Sequence, residues 1–184
     1  MKMSVNKMVK MGVLAALSIV LMIVVRFPII PAAPYLEYEP ADVPVLIAAF
    51  LYGPVEGLIV AFIMALVQAF TVSASSGWVG LIMHVIATGT FVLVAGLIYK
   101  RFHTIKGAAA GLIAGSLLMT LIMVPANLFF TVRFFNQPYE TVVKGLLPIT
   151  IPFNLIKSLT NSLLTFVLYK SVSRILKVQE NIRE

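Results

Sequence analysis

The sequence contains 184 residues, of which 60% are hydrophobic and only 11% charged, with a formal net charge of +7 and no cysteine. Soluble globular domains are about 45–50% apolar and about 25% charged, so this composition excludes an ordinary soluble protein and also a disordered, collagenous or disulfide-stabilised one. The chain is therefore predicted to be an integral membrane protein in a lipid bilayer. Its lysines and arginines lie in short clusters between long apolar runs, which is typical of membrane anchoring, and no nucleic-acid partner is expected.

Six apolar segments follow one another along the chain, and each is predicted to be a helix. They cover about residues 8–25, 42–52, 57–72, 78–99, 107–128 and 147–169. A helix needs about 20 residues to cross the hydrocarbon core, so the second segment is short for a crossing. We predict an all-α integral membrane protein with six transmembrane helices, formed as a single transmembrane domain by residues 1–184.

The distribution of basic residues supports counting the short second segment as a crossing. With six crossings and a cytoplasmic N-terminus, most of the 14 basic residues fall on the cytoplasmic side: Lys2, Lys7, Lys10, Lys100, Arg101, Lys106, Lys170, Arg174, Lys177 and Arg183. Only Arg26, Arg133 and Lys144 fall outside, and Lys157 lies within the sixth span. Cytoplasmic loops are enriched in lysine and arginine, so both termini are predicted to be cytoplasmic.

The segment between the first two helices, residues 28–40, is rich in proline and aromatic residues. Its prolines remove backbone donors and favour extended geometry at the preceding residues, so no helix is expected there. The segment is too apolar for an ordinary solvated loop, and irregular backbone lies at membrane depth only where protein or a cavity surrounds it. It is interpreted either as a compact extracellular linker or as an ordered lid over a site. The mixture of Tyr35, Leu36 and Tyr38 with two glutamates favours the lid.

Polar side chains inside the spans are informative because they are costly in lipid. Asn154, Lys157 and Asn161 recur at a spacing that places them on one face of the sixth helix, and His84 and Thr88 share a face of the fourth. Both helices enter from outside, which places His84 and Lys157 at a similar depth, roughly 10 Å below the outer surface. This convergence predicts one binding site that opens to the exterior.

Each of these polar residues also has a structural interpretation. Burial of Lys157 against a partner or a ligand is favoured over snorkelling. To reach the membrane surface, its aliphatic chain would have to extend along a full helical turn or more. Asn127 and Asn154 are equally compatible with hydrogen bonding between helices. His84 is somewhat more typical of a satisfied core histidine than of a ligand contact. Gln68 is interpreted as packing.

The remaining motifs do not indicate an enzyme. Gly107, Gly111 and Gly115 form two GxxxG steps, which predict a close helix-packing face. Two histidines without any cysteine suggest no metal site, and the only catalytic alternative is a small intramembrane hydrolase in which His84 activates a serine. The acidic residues fall in loops, tails or span ends, so no intramembrane carboxylate pair is expected. Ligand binding or transport is predicted, and a self-sufficient secondary transporter or facilitator of a small polar aromatic molecule remains the alternative.

Several blocks of the sequence resemble the riboflavin-specific substrate-binding (S) components of energy-coupling factor (ECF) vitamin transporters. They are LEYEPADVP at 36–44, LIAAFLYGP at 46–54, GLIMHVIATG at 80–89, VPANL at 124–128 and PFNLIK at 152–157. The resemblance implies a six-helix fold in the cell membrane that binds riboflavin near the outer surface, under the loop between the first two helices. It also implies a transmembrane coupling subunit and two cytoplasmic ATPases as partners. Riboflavin is then cargo, with flavin mononucleotide as a further candidate ligand and no resident cofactor.

The spacing of the residues and this resemblance together give the predicted contacts. The ligand is expected to meet Leu36, Tyr38, Met83, His84, Thr88, Asn127, Asn154 and Lys157. Among these, Asn127, Asn154 and Lys157 match by position the polar contacts that the family makes to the flavin. A small-xxx-small step on the first helix contacts the coupling subunit in that family, and here Gly12 and Ala16 occupy it, with Ala15 beside them. An alanine is usual where Gly12 stands.

Overall fold

The structure is a computed structural model that describes residues 4–181, with side chains described up to Tyr169 and at Ser171. Of the predicted cytoplasmic residues, Lys2 and Arg183 lie outside the described residues, as do the side chains of Lys170, Arg174 and Lys177. The helices are α1 (Val5–Val24), α2 (Asp42–Tyr52), α3 (Pro54–Phe70), α4 (Gly77–Arg101), α5 (Ile105–Ala126), α6 (Val132–Phe134), α7 (Tyr139–Gly145) and α8 (Ile151–Asn181). Two short strands, β1 (Phe27–Pro28) and β2 (Glu37–Tyr38), lie between α1 and α2.

Short irregular helical turns connect some of these helices. A 3₁₀ turn, Ala74–Ser76, precedes α4. A π-helical turn, Asn127–Thr131, joins α5 to α6, and a second, Leu146–Thr150, joins α7 to α8. Helical segments that are long and apolar enough to cross a membrane are Val5–Val24, Ala74–Arg101, Ile105–Phe134 and Tyr139–Tyr169. Residues 4–181 are therefore mostly helical with four candidate spans, and α2 and α3 are shorter apolar helices.

The last two helical segments are longer than their hydropathy predicted. The fifth continues to Phe134 instead of ending near residue 128, and the sixth starts at Tyr139 instead of near residue 147. Phe134 packs edge-on against Trp78 with ring centroids 4.8 Å apart, which fixes the extended end of the fifth segment. Pro138 precedes the first turn of α7, where its missing N–H has no helical partner to lose. The length of the apolar run therefore underestimates the length of these helices, because helical geometry continues beyond it.

The short helix α2 is the centre of the bundle and packs against α1, α3, α4 and α8. Nine of its 11 residues, from Asp42 to Phe50, are buried. A helix that is hydrophobic on every face is typically buried inside a larger bundle. The four neighbouring helices surround α2, so little of its surface is left to contact lipid. It ends at Gly53, whose φ of +120° favours glycine, and Pro54 then starts α3.

The contact between α4 and α5 depends on glycines. A Cβ at Gly111 would lie 2.8 Å from the Ala95 carbonyl oxygen, and one at Gly115 would lie 2.8 Å from the Phe91 ring. The prediction of a close packing face is confirmed for these two positions, because only a missing side chain permits this approach. Gly107 differs, since a Cβ there would meet the carbonyl oxygen of Phe102, in the connection between α4 and α5.

The bundle has two chemically different ends. The segments 25–41, 71–76 and 135–138 lie together at one end, here called the loop end, because helices joined by short connections run antiparallel. The start of α1, the turn at Gly53 and the connection between α4 and α5 form the other, here called the terminal end. Among the described side chains, Lys7, Lys100, Arg101 and Lys106 lie at the terminal end and Arg26, Arg133 and Lys144 at the loop end.

Candidate functional site

A small hairpin folds over the loop end of the bundle. Strands β1 and β2 pair in antiparallel register, with Phe27 opposite Tyr38 and Pro28 opposite Glu37. The Phe27 and Tyr38 rings are 5.3 Å apart between centroids, and Arg26 forms an ion pair with Glu37. The two ends of the segment between α1 and α2 are therefore held against each other.

A cavity of about 280 Å³ lies beneath this hairpin. Its walls come from the hairpin segment, the end of α3 with the turn that follows, and α8, and they include Leu36, Glu39, Gln68, Ser76, Phe153 and Lys157. Polar and charged side chains form most of these walls, and Leu36 and Phe153 add apolar surface, so the cavity suits a small molecule with several polar groups. Two predicted contacts from distant parts of the sequence, Leu36 and Lys157, thus line the same space.

Lys157 is held by an ion pair at the wall of this cavity. Its Nζ lies 2.5 Å from Glu39 Oε1, and the two side chains are only 8% and 5% exposed. A buried charge is tolerated when it is paired and hydrogen-bonded, which explains how the sixth span accommodates a lysine. Burial against a partner, the interpretation favoured from sequence, is confirmed, and the partner comes from the loop.

Asn161 connects the loop, α2 and α8 through one fully buried amide. Its Nδ2 donates to the Asp42 carboxylate at 3.1 Å and to the Glu39 carbonyl oxygen at 3.3 Å. Its Oδ1 accepts from the Tyr38 hydroxyl at 3.0 Å. All of the hydrogen-bonding groups on this side chain are directed at the segment 38–42, so α8 fixes the path of the chain into α2.

The same carboxylate reaches α4. Thr88 donates its hydroxyl proton to Asp42 Oδ1 at 2.9 Å, and His84 Nε2 lies 3.2 Å from that hydroxyl. Because the threonine proton is used by Asp42, this geometry suits a histidine that donates from Nε2. His84 also lines a second, smaller cavity of about 70 Å³ with Ser73 and Ser76. The predicted contacts His84, Thr88 and Lys157 therefore belong to one polar network, and Tyr38 joins it through Asn161.

Two titratable groups of this network lie in the loop, outside the helices. Burial raises the pKa of the Glu39 carboxyl, and the Lys157 ammonium beside it opposes that rise. Burial and then the charge of Asp42 raise the pKa of the Tyr38 phenol. Tyr38 therefore keeps its proton and acts as the donor to Asn161.

The predicted asparagines are not among the residues that line these two cavities. Asn127 donates to the Met123 carbonyl oxygen at 2.8 Å and accepts from Thr131, and Asn154 donates to the Thr150 carbonyl oxygen at 2.8 Å. Both amides are thus used within their own helical segments, next to the two π-helical turns. Such turns are rare and often occur at functional sites. Their role as ligand contacts remains a prediction.

Two other predicted contact residues, Met83 and Ala15, pack on or within the hydrophobic core. Met83 is half-buried and packs on the hydrophobic core. On α1, Gly12 and Ala16 are exposed, and a Cβ at Gly12 would meet nothing within 4 Å. Ala15 is only 5% exposed and belongs to the core. It is rotated about 100° from Ala16 on the helix, so the small surface consists of Gly12 and Ala16.

Four residues of this region were not among the predicted ligand contacts: Glu39, Asp42, Asn161 and Gln68, the last of which was interpreted as packing. Glu39 and Asp42 were assigned to loops or span ends, and their positions in the chain agree with this, but both residues are buried. Lys157 and Asn161 supply the partners that make this burial tolerable. The helical spacing had already placed Asn161 on the face of Lys157, and this signal could have identified it.

Comparison with known proteins gives consistent matches over nearly the whole chain. Residues 6–169 match the model of the family described as ECF transporter, substrate-specific component. The chain is 30% identical to the riboflavin transporter RibU of Staphylococcus aureus (strain TCH60), over 94% of this chain and 93% of that protein. It is 31% identical to the riboflavin transporter FmnP of Bacillus subtilis (strain 168), over 85% and 86% of the two chains.

The fold gives a similar match. A solved structure described as the S component of a bacterial ECF transporter superposes with a TM-score of 0.80 at 32% identity, covering 93% of this chain and 97% of that one. The fold as a whole therefore belongs to a known architecture.

Proposed function

The chain belongs to the family of substrate-specific components of ECF transporters, and we propose that it is the riboflavin-binding subunit of an ECF-type, ATP-driven vitamin importer. The family resemblance found in the sequence is thereby confirmed, and the chain is a membrane-embedded transport component. The relatives named as riboflavin transporters support the choice of ligand. The main structural support for the proposal is the cavity beneath the hairpin, which both Leu36 and Lys157 line.

The chemistry of this cavity suits a flat ligand with a polar edge. Leu36 and Phe153 offer apolar surface, while Lys157 and the Gln68 amide offer hydrogen bonds. The isoalloxazine ring of riboflavin has both properties. Flavin mononucleotide is a second candidate ligand, and Arg26 is the cation that lines the cavity besides Lys157 among the described residues. In either case the flavin is cargo, and we expect no resident cofactor.

We place the loop end outside the cell membrane and the terminal end, with both chain termini, in the cytoplasm. The support is the concentration of Lys7, Lys100, Arg101 and Lys106 at the terminal end. In this arrangement α2 and α3 complete six crossings within a single transmembrane domain, and α2 is short because it is surrounded by protein. A transmembrane coupling subunit with two cytoplasmic ATPases would then supply the energy, with contact at Gly12 and Ala16 of α1.

Riboflavin binding by the purified protein tests this proposal. We expect a yellow preparation, or saturable quenching of flavin fluorescence when riboflavin is titrated into the detergent-solubilised protein, with no chemical turnover of the ligand. Titration of roseoflavin and flavin mononucleotide extends the test to related ligands. If none of the three binds, the ligand assignment is wrong. Hydrolysis of an ester or peptide substrate that depends on His84 would instead support the intramembrane hydrolase.

A further inference from the structure

A large cavity opens at the terminal end of the bundle, at the opposite end from the cavity beneath the hairpin. Its volume is about 990 Å³, compared with about 280 Å³ for the hairpin cavity. It lies between the start of α1, the end of α2 with the turn at Gly53, the first turns of α3 and the end of α4. The residues that line it are not part of the proposed flavin site.

The charged groups of this cavity favour an anion. Lys7 and Glu56 form an ion pair at 2.5 Å, so their charges offset each other. Lys100 also lines the cavity, is exposed, and pairs with no carboxylate among the described residues. His103 adds a ring nitrogen to the same wall. A ligand with a negatively charged group therefore complements this cavity, with Lys100 as its cationic partner.

The remaining wall is apolar and continues onto the outer surface of α3. Apolar side chains line the cavity around the charges: Phe50, Leu51, Val55 and Ile59. Beyond Ile59, exposed apolar residues continue along the same helix: Phe62, Ile63 and Leu66. Residues three and four apart share a helix face, so Val55, Ile59 and these residues form one stripe that begins at the cavity. In a bilayer such a stripe lies against acyl chains.

We propose that the terminal-end cavity binds the headgroup of an anionic phospholipid, whose acyl chains lie along this stripe of α3. The proposed orientation places the terminal end at the cytoplasmic face, and basic pockets between transmembrane helices on that side suit anionic headgroups. A soluble phosphate would pair with Lys100 and leave the apolar wall uncovered, whereas a lipid uses both parts of the site. The inference goes beyond the flavin site and does not depend on the identity of the cargo.

Lipid binding by the detergent-purified full chain tests this site. Native mass spectrometry measures the bound fraction during titration with phosphatidylglycerol, which is anionic, and with phosphatidylcholine of the same chain lengths, which is zwitterionic. We expect tighter binding of phosphatidylglycerol, and Lys100→Gln should weaken it roughly fivefold, the effect of one basic residue at an anionic lipid headgroup. Arg101→Gln is the matched control, because Arg101 is an exposed neighbouring cation that is not among the lining residues, and it should leave the affinity unchanged.

A soluble competitor distinguishes a lipid from free phosphate. Glycerol 3-phosphate carries the anionic group without acyl chains, so at the same concentration it should not displace bound phosphatidylglycerol. Full displacement would assign the cavity to a soluble phosphate and overturn the lipid site. Equal affinities for the two lipids, or equal losses in Lys100→Gln and Arg101→Gln, would also overturn it.

Folding and cargo binding are measured on the same variants. Both replaced side chains are exposed, so the melting temperature without added lipid should not change. Riboflavin affinity should also be unchanged in Lys100→Gln, because Lys100 and the hairpin cavity lie at opposite ends of the bundle. Loss of lipid binding with riboflavin binding intact would show that the two sites are separate. A concurrent loss of riboflavin binding in Lys100→Gln would contradict the lipid site as proposed, whereas failure of the unmodified protein to bind riboflavin would contradict only the proposed function.

Discussion

The pairing of Lys157 with Glu39 connects the ligand cavity to the loop that covers it. Both side chains are buried, so neither charge can be exposed to water without moving the loop or α8. Removing one partner of a buried ion pair leaves an uncompensated charge, which usually costs about 3–5 kcal/mol. The pair is therefore a structural element of the site as well as a candidate contact to the ligand.

The first expected outcome concerns two polar residues of the sixth span, Lys157 and Asn154. Lys157→Ala and Asn154→Ala should each weaken riboflavin binding by up to roughly a hundredfold, because each removes a polar partner worth about 1–3 kcal/mol to a buried ligand group. Fluorescence titration of the two variants measures this. Undiminished binding by both would mean that these residues only stabilise the bundle.

A double variant separates the stability effect of Lys157 from its effect on binding. Lys157→Met alone leaves Glu39 buried without its cation and should lower the melting temperature. Lys157→Met combined with Glu39→Gln should recover most of that loss, since replacing both partners of a buried pair is far less costly than removing one. If the double variant melts no higher than the single one, the ion pair does not control stability.

The sequence predicted several residues of the polar network, but it did not predict which side chains they pair with. Lys157, His84 and Thr88 could be predicted because polar groups within apolar spans are few and their spacing reports a common face. Glu39 and Asp42 could not be recognised as buried, because their burial depends on Lys157 and Asn161, more than 100 residues away. The amides of Asn127 and Asn154 carry no signal that distinguishes a ligand contact from a bond within the helix.

At the level of elements, the hairpin of β1 and β2 is the candidate lid of the molecule. It is tied to the end of α1 by the ion pair of Arg26 with Glu37, whose side chains are 29% and 26% exposed. Such partly exposed pairs contribute about 0.2–1 kcal/mol, much less than the buried pair of Lys157 and Glu39. The partly exposed ion pair of Arg26 with Glu37 is therefore the weaker contact of this loop, and the buried pair of Lys157 with Glu39 is the stronger one.

Arg26→Gln tests whether the hairpin acts as a lid. Loss of the ion pair of Arg26 with Glu37 should speed riboflavin dissociation by up to about fivefold, as about 1 kcal/mol of lost stability allows, while the melting temperature changes little. Stopped-flow fluorescence measures the dissociation rate. Arg133→Gln, an exposed arginine at the same end of the bundle, is the control. Equal dissociation rates in all three proteins would favour a rigid linker.

The helices themselves were largely predictable, and the departures have physical causes. The predicted 42–52 segment agrees with α2, because Pro44 at its start and Gly53 with Pro54 at its end are strong local signals. The extensions to Phe134 and from Tyr139 were missed, because the charged and aromatic residues there can form helix outside an apolar run. The π-helical turns have no sequence signal comparable to a cap or a proline.

For the whole molecule, the main question is how a binding protein becomes a transporter. The sequence contains no nucleotide-binding motif, and the buried carboxylates Glu39 and Asp42 are used by Lys157, Asn161 and Thr88 within the described structure. On the proposed function, concentrating the ligand across the membrane would need energy supplied by partner subunits. The exposed face of α1 is the candidate contact, since Gly12 and Ala16 allow another helix to approach closely.

Replacing this small surface should separate binding from transport. Gly12→Trp or Ala16→Trp should abolish ATP-dependent riboflavin uptake by the complex reconstituted in liposomes, because an indole holds the partner helix away from the α1 backbone. Riboflavin affinity should stay within about twofold, since both positions face outward and lie on a different element from the cavity walls. Radiolabelled uptake and fluorescence titration measure the two quantities on the same preparations.

The control for these variants is Ala110→Trp, an exposed alanine on α5 near the same terminal end. An indole there should meet lipid and leave uptake intact, so a selective loss at Gly12 and Ala16 would locate the coupling contact on α1. Equal losses in all three variants would indicate a general defect in insertion. Concentrative uptake by the chain alone, without any ATPase, would contradict the proposed dependence on a coupling subunit and ATPases. It would favour a secondary transporter, in which substitutions at Gly12 and Ala16 should have little effect on uptake.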